Sequence, residues 1–151
     1  QTAAVAASPV AAGPKSIADA LQIKTSYSFD QQSLEFAMRD LAEEVKSSLK
    51  NVPFEFAIKI IGDDLKLDGI TRNQSIRDFK QEGQTVADIL TALVRKANPV
   101  TTVKDPSEKD QKLVWLIGPD PESPGKQIIL ITTRAAAGTK KYTLPAVFVG
   151  K

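Results

Sequence analysis

An α+β fold is expected from three observations: two stretches with apolar residues at helical spacing, several short stretches with apolar residues at alternate positions, and the order in which they come. The expected order is βαββαββ, a small mixed sheet with two helices packed on one face. A chain of 151 residues, 42% of them hydrophobic, has the length and apolar content for one core. With only 6% aromatic residues, that core is mainly aliphatic.

Residues 1–15 are small and rich in alanine, with Pro9, Gly13 and Pro14, and show no amphipathic period. They read as a flexible linker. The chain starts at Gln1 rather than Met, which fits a segment of a longer polypeptide. Ser16 to Gln22 suits a single helical turn. Ile23, Thr25, Tyr27 and Phe29 then alternate with polar residues, the mark of a half-buried first strand. Leu34, Ala37, Met38, Leu41, Val45 and Leu49 recur at three- and four-residue steps, which predicts an amphipathic helix capped by Gln32 or Ser33 and stopped by Asn51 and Pro53.

A second alternating run, Phe54, Phe56, Ile58 and Ile60, predicts a strand ending at Gly62. Asp63, Asp64 and Asp68 with Gly69 read as an acidic loop, and Ile70, Ile76 and Phe79 anchor a weaker third strand. Thr85 caps a second helix with Val86, Ile89, Leu90, Leu93, Val94 and Ala97 on one face, ended by Asn98 and Pro99. Leu113–Ile117 and Ile128–Ile131 are continuous apolar runs. The proline- and glycine-rich stretch from Gly118 to Gly125 between them reads as a long hairpin loop. The domain proper therefore spans 16–134, and 135–151, which contains Pro145, reads as an extended C-terminal segment or edge strand.

Composition narrows the chemistry. Cysteine and histidine are both absent, which removes the usual nucleophile–base pairs and soft metal ligands. Asp64, Asp68 and Gly69 match three positions of a calcium-binding loop, but Lys66 stands where an oxygen ligand belongs and Ser75 where the loop needs a bidentate glutamate. Neighbouring carboxylates such as Asp63 with Asp64, or Glu43 with Glu44, point in different directions and do not face one another across a substrate. No enzymatic activity and no cofactor are expected. Twenty basic and eighteen acidic residues leave a net charge of +2 with the signs interleaved, so no stripe suited to phosphates forms and nucleic acid is not the expected partner. No stretch reaches the roughly 20 apolar residues of a membrane-spanning helix. Trp115, flanked by apolar residues, reads as core.

The stretch Tyr27-Ser-Phe-Asp-Gln-Gln-Ser-Leu-Glu-Phe-Ala-Met-Arg-Asp-Leu-Ala42 resembles the opening of the short N-terminal domain of secretins and TonB-dependent receptors, the STN domain. Gln84-Thr-Val-Ala-Asp-Ile-Leu-Thr-Ala-Leu93 is similar to that family's second helix, which precedes a hairpin like the one expected from Leu113 to Ile131. The resemblance covers Ile23 to Thr133. It implies a non-enzymatic, periplasmic or extracellular module of a bacterial envelope protein that docks another protein or a neighbouring domain. Alternatives are a nucleic-acid-binding domain or a cell-surface domain for ligands or glycans. If docking is by strand addition, the residues expected to carry it are Ser75, Ile76, Arg77 and Phe79, with Asp63, Asp64 and Asp68 at the rim.

Overall fold

The computed structural model describes residues 16–49, 52 and 54–149. The linker 1–15, the helix stops Asn51 and Pro53, and Lys151 lie outside the described residues. The chain is α+β, in the order α1 (Ile17–Ala20), β1 (Lys24–Ser33), α2 (Leu34–Ser48), β2 (Ile58–Ile60), α3 (Gly62–Leu67), β3 (Ser75–Thr85), α4 (Val86–Ala97), β4 (Leu113–Asp120), β5 (Ser123–Thr133), α5 (Arg134–Thr139) and a 3₁₀ turn, Ala146–Phe148.

The strands form two sheets where a single one is expected from sequence. β1 and β3 make an antiparallel ribbon, and β2, β5 and β4 make a mixed sheet with β5 in the middle, parallel to β2 and antiparallel to β4. The expectation of two helices on one sheet face is corrected accordingly. α2 packs on β1 and β2, α4 packs on β3 and β4, and the helix pair lies between the two sheets. Both helices are apolar enough to be covered from two sides. Leu34, Met38, Leu41 and Val45 of α2 and Val86, Ile89, Leu90 and Leu93 of α4 are all buried, together with Phe56 and Trp115.

Local chemistry sets the helix ends. The Ser33 hydroxyl accepts the Phe36 N–H at 3.1 Å and the Thr85 hydroxyl accepts the Asp88 N–H at 3.1 Å, each satisfying a first-turn donor. The three-stranded sheet is buried on both faces, which explains its continuous apolar runs. Trp115, Ile129 and Ile131 face the helices, while Leu116, Ile128 and Leu130 face a second cluster with Ala137 of α5.

Four further expectations change. Gly118 to Gly125 is no long loop: β4 and β5 run through it to a tight turn at Pro121 and Glu122, with Pro119 opposite Gln127. β4 is an edge strand, where a proline's missing N–H is tolerated. The second strand shrinks from 54–60 to Ile58–Ile60. The third shifts to Ser75–Thr85, because its polar C-terminal half pairs with β1 without needing a core face. The segment after Thr133 begins as a helix rather than as extended chain. Its alanines form α5, capped by the Thr133 hydroxyl on the Ala136 N–H, and Phe148 is fully buried edge-on to Trp115. Arg134 holds this arrangement by donating to the carbonyls of Pro106, Glu108, Gln111 and Phe148 at 2.8–3.2 Å.

Candidate functional site

The acidic stretch and the strand edge expected to act together line different clefts: Asp63 one, Asp78 and Phe79 another. Leu65 must be buried, and a helical turn, α3, delivers it there in place of the expected loop. The same turn carries Asp64 inward, where its carboxylate accepts from the Thr132 hydroxyl at 2.6 Å and pairs with Lys140 at 3.0 Å. Asp64 is only 5% exposed, so the expectation that it lines a docking rim is corrected: its partners are internal. Asp68 is the C-cap of α3. Asp63 lines a shallow cleft with Lys59, Arg72 and Glu122.

Along β3, Ser75 is exposed, opposite Ser33, and its hydroxyl accepts from the Gln31 amide at 3.2 Å. Arg77 is exposed, opposite Gln31. Ile76 and Phe79 are buried, so their side chains belong to the core, and only their backbone lies along the strand edge. Residues three apart in a straight strand face opposite sides, yet both of these point into the core. Between them, Asp78 has φ 53°, a left-handed conformation that non-glycine residues seldom adopt, although asparagine and aspartate tolerate it better than most. That single turn of the backbone reconciles the two burials. Phe79 then stacks on Phe29 with ring centres 5.2 Å apart, and Tyr27 packs edge-on to Phe29. Burial, and then the nearby Asp40 carboxylate, push the Tyr27 phenol above its ordinary range.

Among the described residues β3 pairs only with β1, and its other edge faces α4 across a cleft of about 380 Å³. Asp78, Lys80 and Gln81 line one wall and Arg95 and Lys96 the other, with Val100, Thr101 and Val103 closing the end. Lys96 reaches over to donate to the carbonyls of Arg77 and Asp78 at 3.2 and 3.5 Å. Arg95 donates to the carbonyls of Val103 and Lys104, holding the closing loop. Asn98 fixes the same loop by donating to Val100 and Asp110 and accepting from Lys112 and Leu113. Gln111 at the cleft floor donates to Val94 and Leu113, while its own side-chain oxygen is buried with no partner among the described residues.

The cleft thus combines a strand edge, a strained residue and an excess of cationic side chains. It holds no paired nucleophile and base, and among the described residues no cluster of three metal-ligating side chains occurs. Sequence reasoning missed Asp78, Lys80, Arg95, Lys96 and Gln111. The one signal was the three-residue spacing of Ile76 and Phe79 inside a strand, which demands a bend. No helix among the described residues is long and apolar enough to cross a membrane. No family model, curated protein or solved structure matches this chain.

Proposed function

We propose that the chain is a non-catalytic module of a larger bacterial cell-envelope protein, on the periplasmic or extracellular side, that docks another protein or a neighbouring domain of its own polypeptide. The resemblance of Tyr27–Ala42 and Gln84–Leu93 to the STN domain supports this reading, and so does the cleft beside β3. The observation that carries it is Asp78, a non-glycine residue at φ 53° beside an open strand edge. Strained backbone persists where its surroundings hold it, and it concentrates where ligands are clamped.

In the proposed mode an extended segment of the partner lies along β3 from Arg77 to Gln81, and the Lys96 ammonium swings off the two carbonyls it bridges. Lys96 is exposed, so giving up those contacts is a small cost. Acidic side chains on the incoming segment would meet Lys80, Arg95 and Lys96. The test is a photo-crosslinking residue in place of Lys80, in the full-length protein in its own cells. A cross-link to one protein, lost on Lys96→Glu and absent when the same residue replaces Arg39, is the expected result. Equal labelling from both positions would overturn the reading. The cationic side chains of the cleft also serve a nucleic-acid reading. Binding to single-stranded homopolymers that falls steeply with salt would favour that alternative.

A further inference from the structure

The four strand edges of the two sheets are guarded unequally. An open edge invites pairing, and proteins blunt edges with prolines, bends, bulges, charges or shortness. β4 carries Pro119, and β2 is three residues long with its Ile60 carbonyl bonded to the Arg72 guanidinium at 3.3 Å. β3 is bent at Asp78, bulged where Gly83 takes φ 62°, and bridged by Lys96. Beyond the two charges Lys24 and Asp30, β1 has none of these devices. It runs ten residues without proline, glycine or positive φ, and the bulge opposite Thr25 and Tyr27 is absorbed by β3. Among the described residues its main-chain groups are bonded only into the ladder with β3.

We propose that the outer edge of β1 pairs antiparallel with the same edge of a second copy of this chain, joining two ribbons into one four-stranded sheet. The strand is complementary to itself. With the two-fold axis at Tyr27, Lys24 stands opposite Asp30 of the second copy, Ser26 opposite Ser28, and Thr25 opposite Phe29. Symmetry makes the Lys24–Asp30 pair twice. Lys24 and Asp30 are both exposed, and among the described residues neither forms an ion pair within its own chain. Lys24, Ser26, Ser28 and Asp30 fall on the exposed face of the ribbon, so the two ion pairs form at the surface. Tyr27 and the half-buried Phe29 fall on the inner face, where Phe29 gains cover from Thr25 of the second copy. Seven residues per strand bury an area at or below the low end of stable interfaces, under about 1,200 Å², so the dimer is weak and reversible. It uses a different edge from the β3 docking cleft and does not depend on it.

The experiment is sedimentation velocity on three samples, each from about 0.01 to 1 mM, a range that brackets weak association. The unaltered chain should show a concentration-dependent dimer. Lys24→Asp places Asp opposite Asp twice, and Asp30→Lys places Lys opposite Lys twice. Each alone should therefore weaken association by about tenfold or more. An equimolar mixture of the two variants restores both ion pairs across the pair and should form a heterodimer with the affinity of the unaltered chain. Because the mixture recovers association, loss in the single variants cannot come from misfolding. A monomer throughout, or a mixture no more associated than its components, would overturn the proposal.

Discussion

Asp78 sits between Ile76 and Phe79, and both of those side chains reach the core only because the backbone at Asp78 turns left-handed. A left-handed residue with a Cβ is disfavoured by roughly 1–2 kcal/mol, less for aspartate, and glycine escapes the penalty. Asp78→Gly should therefore leave stability unchanged or raise it by up to about 1 kcal/mol in urea denaturation. Asp78→Val, β-branched and unable to relax, should lower it by about 1–2 kcal/mol. Stability lost in the glycine variant and kept in the valine variant would show that this backbone is not strained. If the strain serves docking, the glycine variant should also weaken the cross-link from position 80 while the fold is retained. A gain in stability accompanied by loss of binding is what a strained recognition site predicts.

At the scale of elements, the two long helices carry most of the buried aliphatic side chains that face both sheets. Leu41 and Leu90 are fully buried between the sheets, so Leu41→Ala or Leu90→Ala should each cost about 2–5 kcal/mol in chemical denaturation. Unchanged midpoints in both would place the helices elsewhere. These helices were legible because their period, caps and stop signals agree, from Ser33 with Glu35 to Thr85 with Asp88. The sheets were less legible. Alternation announces a strand but does not say which strand it pairs with, and the split into two sheets depends on long-range register. Pro119 looked like a loop residue because its tolerance depends on lying at an edge, which is a property of the assembled sheet. Ala135 to Ala137 carried little pattern, and their helix depends on the Thr133 cap and on Ala137 packing under Leu116 and Leu130. The candidate site was legible as a stretch of chain, 75–79, but not as a surface. Which side chains face out follows from the bend at Asp78, and the opposing wall comes from α4 and the loop after it.

At the scale of the whole molecule, the groups with shifted titration predict how stability depends on pH. Lys59 of β2 donates to Asp120 at 2.9 Å and Glu122 at 2.8 Å, tying the first strand of the sheet to the hairpin tip. The Lys59 ammonium, followed by the Glu122 backbone N–H, holds the Asp120 carboxyl below its ordinary value of 3.8. Asp120, then Glu122, hold Lys59 above its ordinary 10.5. A carboxyl depressed in the folded state adds stability that is fully present above its ordinary value and is lost as pH falls through the depressed one. Raised groups run the other way. The stability from Lys59 and from the buried Tyr27 phenol is present below their ordinary values of 10.5 and 10.0 and lost as pH rises beyond them. The chain has no histidine, so no side chain with an ordinary value near neutrality lies between these limits. The thermal midpoint should thus be flat from about pH 5 to 9 and fall on both sides. Asp120→Asn should lower the plateau and make the acid limb shallower, because its depressed carboxyl no longer loses stability on protonation. A midpoint that changes steeply between about pH 6 and 8, or an acid limb equally steep in the asparagine variant, would show that other groups govern the response.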